Sequence, residues 1–358
     1  MKISVLYNLI AYKKINYVKG DYVMNHILIK TITTCNVNQV VFLMAMSVIS
    51  VSSIAQQNAF PNQPIRIIVA FPAGGGTDYT ARLVADHMRQ SLNIPVVVEN
   101  KAGASGMIGS GYVSKAKPDG YTILANSGEV AVNPHLYKTM AYDWDVDLHP
   151  ITLMVRVPNV LAVNPDIPAK NVAELVLYAR DQPSKLTFSS SGIGNPQQLT
   201  GELFNKIAGV RINHVPYKGA TPQIADVVGK HITMTFVSIG AALPFIESGR
   251  LRAIGVTSLT RVSALPKVPP IAETPGFSGF EVVNFFGMMS PGATPPAIVK
   301  ILNVAIVNAL KMQEVTQKLR ESGFEPSPTT PEAFREFVRL ESAKFGKIIV
   351  EANVTPEK

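Results

Sequence analysis

Four glycine-rich turns carry the residues best suited to hold a small anion. They supply Ala73, Gly74, Gly75, Gly76, Thr77 and Asp78; Gly103, Ala104 and Ser105; Ser190, Ser191, Gly192, Gly194, Asn195 and Gln198; and Lys218, Gly219, Ala220 and Thr221. Each turn stands before a predicted helix start, where unpaired N–H groups and the helix dipole favour negative charge. No Gly-Lys-Ser/Thr follows the glycines, so the expected anion is a carboxylate rather than a phosphate. The same glycines would also serve if they only allowed tight geometry. Asp78 has two readings that one geometry satisfies. It is an acceptor for a ligand ammonium, hydroxyl or water, or an acid in a first helical turn that favours the dipole. Ser190, Ser191 and Asn195 are polar groups on one turn and equally good turn and cap formers. Lys218 adds either attraction for the anion or a solvated charge.

Other chemistry is poorly supported. Gly103, Gly106 and Gly109 form G-x-x-G-x-x-G, but not in the first strand–helix unit, and no acid clearly ends the next strand about 20 residues on, as dinucleotide binding requires. No serine sits in G-x-S-x-G and there is no H-E-x-x-H. His87, His135, His149, His214 and His231 lack metal-ligand spacing, and Cys35 is the single cysteine. Neither cofactor nor metal is expected. A binding protein is favoured. The alternative is an α/β enzyme acting on a nucleotide or acyl substrate, and a structural envelope protein is a third class.

The elements around these turns follow a βαβ rhythm. Residues 66–71 form an apolar run of buried-strand type, and a helix follows with Ala81, Val84, Ala85, Met88 and Leu92 at helical spacing. Strands are predicted at 95–99 and 121–125, with Ser127 just beyond as a further candidate contact. This predicts a parallel sheet with helices on its faces. Asn171 with Glu174 reads as a capping box. Asn195-Pro196, Thr221-Pro222, Thr294-Pro295 and Thr330-Pro331 each read as an N-cap followed by proline at the first helical position. The final ~60 residues read as two or three amphipathic helices.

The formal charge of +8 over 358 residues is concentrated at one end. Residues 1–55 hold five Lys, no Arg and one Asp, while residues 56–358 hold 28 basic and 24 acidic residues without a Lys/Arg run. That pattern argues against a nucleic-acid partner. Lys30, the apolar run 40–51 and small residues at Ser53 and Ala55 predict an export signal cleaved after Ala55 and a periplasmic mature chain.

Several blocks in fixed order carry a resemblance: residues 71–78 (Phe71 to Asp78), 98–106, 118–122, 189–194, 215–220 (including Tyr217) and 271–274. The chain resembles the TctC/Bug family, extracytoplasmic solute receptors of tripartite tricarboxylate transporters, from Phe60 to its end. The resemblance implies an α/β, two-lobed periplasmic-binding-protein-like fold of type II with the ligand cleft between lobes. One lobe would span 58–155 plus 282–358 and the other 156–281, joined by two crossing strands. The loops at 71–78 and 190–198 would clamp the carboxylate of a small organic acid through backbone amides and water. The loops at 103–105 and 217–221, including Tyr217, would line the same cleft. Implied partners are membrane permease subunits of the transporter, or a sensor protein. Gln198 stands where the family commonly has His, and Phe285 or Phe286 where it has Trp.

Overall fold

The computed structural model describes residues 60–355, so the export signal read over 1–55 lies outside the described residues. The chain begins with β1 (Ile65–Val69), α1 (Gly76–Leu92), β2 (Val96–Asn100), α2 (Met107–Ser114), β3 (Thr122–Ser127) and α3 (Glu129–Leu136). A short helix, α4 (Trp144–Asp147), leads into the long strand β4 (Leu148–Val163). Then come α5 (Val172–Asp181), β5 (Thr187–Ser190), α6 (Pro196–Ala208), β6 (Asn213–Pro216) and α7 (Ala220–Val228). They are followed by β7 (Met234–Ser238), α8 (Ile239–Glu247) and β8 (Arg252–Val256). The chain ends with β9 (Val283–Pro291), α9 (Pro296–Lys311), α10 (Gln313–Glu321), β10 (Glu325–Pro326) and α11 (Pro331–Ala352).

The strands run in the order β2-β1-β3-β9-β4-β7-β5-β6, with β8 and β10 also paired to β4. β1 is parallel to β2 and β3, and β5 is parallel to β6 and β7, as the βαβ rhythm predicts. The sheet as a whole is not parallel. β9 is antiparallel to β3, and β4 is antiparallel to β9, β7 and β8. The reason is the route of the chain. β4 pairs with β9 as far as Pro158 and with β7 from Asn159 onward, so one continuous strand passes from the first half to the second. β9 brings the chain back, and outgoing and returning strands that lie side by side must oppose each other in direction.

Alternation along the strands separates the two faces, each covered by helices. Ile65, Ile67 and Val69 of β1 share a core with Ala81, Val84 and Met88 of α1 and with Leu302 and Ile306 of α9. Ile68 packs on the opposite face with Val130 of α3 and with Phe334, Val338 and Phe345 of α11. In the second half Leu161 and Val163 face α5 and α6, while Val160 and Ala162 face α7 and α8. Leu199 of α6 is buried in the core that α3 and α11 also enter, so the halves share apolar contacts as well as strands.

Local signals set most helix starts. Asn171 Oδ1 accepts from Glu174 N at 2.9 Å; Glu174 reaches back to Asn171 Nδ2 and to Lys170 N, both at 2.7 Å, so the returning backbone bond of this box falls one residue before the cap. Asn195 and Thr330 cap α6 and α11, each with proline at the first helical position. Two expected caps differ. α7 starts at Ala220 after Gly219, whose φ of 105° suits glycine, so Pro222 falls within the first turn, where no N–H is needed. Thr294 Oγ1 donates to Pro291 O at 2.7 Å and closes a turn; Pro295 precedes α9 instead.

Gly109 packs α2 onto β1. A Cβ there would lie 2.8 Å from Ala70 Cα and 2.9 Å from Lys101 O, both backbone atoms that cannot swing aside. Alanine ordinarily favours a helix interior by up to ~1 kcal/mol over glycine. Gly109→Ala is nevertheless expected to destabilise by about 1–3 kcal/mol, because overpacking displaces the helix. Thermal melting checks this, and a raised melting temperature would contradict the packing.

Candidate functional site

All four turns lie at the carboxyl ends of parallel strands, β1, β2, β5 and β6, and Ser127 ends β3. Contacts link them in a chain. The Phe71 ring lies 3.0 Å from where a Gly106 Cβ would stand, joining the first two turns. Asn133 Nδ2 on α3 donates to Ser105 O at 2.9 Å. One turn further along α3, Leu136 packs so closely on Gly194 that a Cβ there would lie 2.4 Å from Leu136 Cδ1. Tyr217 N donates to Ser190 O at 2.9 Å, tying the last two turns together. The predicted residues are thus brought to the junction of the two halves. The side chains of Lys218 and Thr221 are exposed, and the Tyr217 hydroxyl donates to Asp226 Oδ2 at 2.5 Å.

Asp78 is buried, at 3% exposure, and its carboxylate is engaged within the protein. Oδ2 accepts from Gly74 N at 2.9 Å, Oδ1 accepts from Asn100 Nδ2 at 2.8 Å, and Arg82 Nε reaches both oxygens. Asn100 Nδ2 also donates to Phe71 O at 3.0 Å, and Asn100 Oδ1 accepts from Arg82 Nη2 at 3.0 Å. Burial alone would raise the Asp78 pKa; Arg82, the Gly74 N–H and Asn100 together outweigh it and hold the carboxyl below its usual range. The geometry favours a third role over the two read from the sequence. Asp78 shapes the turn. Among the described residues nothing accepts from the N–H groups of Gly76, Thr77 and Asp78, which remain free at the start of α1. Gly76 is required there, since a Cβ would lie 2.9 Å from the Phe286 ring.

The turn after β5 is built differently. Gln198 Oε1 accepts from Gly194 N at 2.7 Å and Gln197 Oε1 accepts from Ser191 N at 2.9 Å, so these two amides are occupied from within the chain. Asn195 Oδ1 caps α6 on Gln198 N, and Asn195 Nδ2 donates to Ser191 Oγ at 2.9 Å. Ser190 Oγ donates to Gly192 O at 2.8 Å and meets His214 Nε2 at 2.6 Å, where the imidazole must be the donor. At α7 no side chain among the described residues caps the start, and none of them accepts from the first N–H groups, of Ala220 and Thr221. Phe285 is buried against Phe334 and Phe337, whereas Phe286 faces α1 and Phe324.

His214 was among the histidines without metal spacing, and only the β5–β6 pairing puts it beside Ser190. Burial against Phe188 pushes its pKa down from 6.5 to about 4. The folded protein therefore holds the ring neutral where the unfolded chain protonates it. This contribution is complete above pH ~6.5 and is lost as pH falls from there to about 4. The expected loss is about 2 kcal/mol, discounted from the full shift because the ring is only partly buried. Melting temperatures of wild type and His214→Gln across pH 4–7 check it. The wild-type slope above pH ~4 should flatten in the variant, and equal slopes would contradict it.

At the base of the junction, Asn284 Oδ1 on β9 accepts from Gly128 N at 3.0 Å and lies 3.3 Å from Ser127 Oγ. Ser127 Oγ donates to Glu129 Oε2 at 2.5 Å. Sequence reasoning passed over Glu129 and Asn284; the first resembles any acid in a first helical turn, and the second reaches Gly128 across 156 residues. No cluster of His, Cys, Asp or Glu fit for a metal occurs among the described residues.

Solved structures share this architecture. An R. palustris protein solved with adipate matches at a TM-score of 0.74 and 35% identity, over 83% of this chain and 100% of that one. The periplasmic binding protein BugD matches at a TM-score of 0.70 and 34% identity, over 83% of this chain and 100% of that one. Fold and site define a two-lobed α/β solute-binding protein. The family model described as tripartite tricarboxylate transporter family receptor matches residues 80–354, and the chain belongs to that family. A relative from Pseudomonas sp. (strain P51), the protein of the tcbD–tcbE intergenic region, is 38% identical over 308 residues, 86% of this chain and 92% of its own.

Proposed function

We propose that this receptor captures a small organic acid outside the cytoplasm and delivers it to the permease subunits of a tripartite tricarboxylate-type transporter, without catalysis. The observation that carries the reading is the row of open N–H groups at Gly76, Thr77 and Asp78. They stand at the positive end of a 17-residue helix and are aimed by an internally braced turn. The open start of α7 adds donors from the second half. Closure of the lobes, divided at about 155/156 and 281/282, would bury the carboxylate between them. The adipate held by a structural neighbour is consistent in chemistry. No helix among the described residues is long and apolar enough to cross a membrane, which suits a receptor released by cleavage after Ala55. A sensor that reads the closed form is an additional partner for the same surface.

The test is thermal melting against mono- and dicarboxylic acids, amino acids and uncharged analogues. A ligand at 100 times its Kd raises stability by about 2.7 kcal/mol, readily seen as a shifted melting temperature. At least one acid should produce it. Stabilisation by nucleotides or acyl thioesters and by no acid would favour the enzyme alternative.

A further inference from the structure

We infer that Glu129 selects, among the acids this cleft admits, those carrying a cationic nitrogen at the end opposite the bound carboxylate. The inference rests on the carboxylate-receptor reading above. Glu129 opens α3 at the carboxyl end of β3, where the two halves meet. One carboxylate oxygen accepts from Ser127 Oγ, and no ion pair among the described residues includes Glu129. Burial pushes the carboxyl above its ordinary range, and no neighbouring charge pulls it back. Glu129 is half-buried, and Ser127 Oγ and its own backbone N–H are its donors; what the carboxylate lacks among the described residues is a cation.

A second observation points to the same place. Asn159, at 2% exposure, has a buried Nδ2 without a partner among the described residues. Ala125 on β3, Phe286 on β9 and Val157 on β4 all face the core under α1. Side chains alternate along a strand, so Ser127, Asn284 and Asn159, each two residues on along its strand, lie on that same face. Gly76, the first residue of α1, rests on Phe286. The open N–H groups of α1, the Glu129 carboxylate and the Asn159 amide therefore border one space. Asn159 lies diagonally from Asn284 across the β4–β9 pair, roughly 7–8 Å away, the span of a small molecule. A ligand carboxylate meets α1, an ammonium meets Glu129, and Asn159 donates to an oxygen of the same ligand. A second carboxylate would instead meet Glu129 at like charge.

Calorimetry with matched probes tests this: 4-aminobutanoate, 5-aminopentanoate and 6-aminohexanoate against succinate, glutarate and adipate, on wild type and Glu129→Gln. Wild type should prefer the amino acid of each pair by ~10-fold or more, the scale of a charge-assisted hydrogen bond. In Glu129→Gln the amino acids should weaken by ~10-fold or more while the diacids tighten. The variant keeps the side chain's size, and its apo melting temperature should hold or rise. A wild type that prefers diacids, an unchanged preference in the variant, or a panel in which acids bind but none bearing nitrogen does, overturns the assignment to Glu129 and leaves the receptor reading standing. Failure of every acid to bind overturns both.

Discussion

Replacing Asp78 by alanine should both loosen the empty protein and weaken ligand binding, in that causal order. The carboxylate accepts from Gly74, Asn100 and Arg82, and the last two also hold each other. Arg82 is half exposed and can turn to water, but Gly74 N and Asn100 Nδ2 lose a charged acceptor. Hydrogen bonds to charged groups are worth about 1.5–3 kcal/mol, so an apo loss of roughly 2–3 kcal/mol is expected. For a domain of this size that is a fall of about 3–5 °C in melting temperature. Affinity should fall by ~10- to 100-fold, because the amides of Gly76, Thr77 and Asp78 would have to be ordered at the moment of binding. Asp78→Asn keeps the shape and should lie between. Lost affinity with unchanged apo stability would make Asp78 a direct ligand contact instead. Acid should mimic the mutation: the Asp78 pKa is lowered by folding, so its stabilisation is present above pH ~3.8 and is lost as pH falls through the folded value.

The sequence exposed what is local and hid what is brought together by pairing. Glycine turns, the Asn171–Glu174 box and the Asn195 and Thr330 caps act within four or five residues, so each is legible in the sequence alone. Thr221 and Thr294 misled because the same dipeptide can close a turn or sit inside a first turn, and the φ of Gly219 decides which. The βαβ rhythm predicts a parallel sheet, and β4 and β9 depart from it, since apolar runs do not record which segment carries the chain to the other half and which brings it back. Arg82 stands four residues after Asp78, a spacing that suggests an ion pair, yet Asn100 joins them only through the β1–β2 pairing. The turn at 190–198 reads as an anion loop, but its amides at Ser191 and Gly194 are taken by Gln197 and Gln198. The open donors concentrate at α1 and α7.

That concentration makes the ionised carboxylate the centre of the account, and one titration bears on it most directly. The acid that stabilises the protein best and its primary amide are compared by calorimetry at neutral pH. Amide and acid have nearly the same shape, but only the acid offers a charge to the N-termini of α1 and α7. Charge-assisted hydrogen bonds together with the helix dipole are worth about 3 kcal/mol here, so the amide should bind ~100-fold more weakly. Equal affinity of acid and amide would contradict the anion clamp.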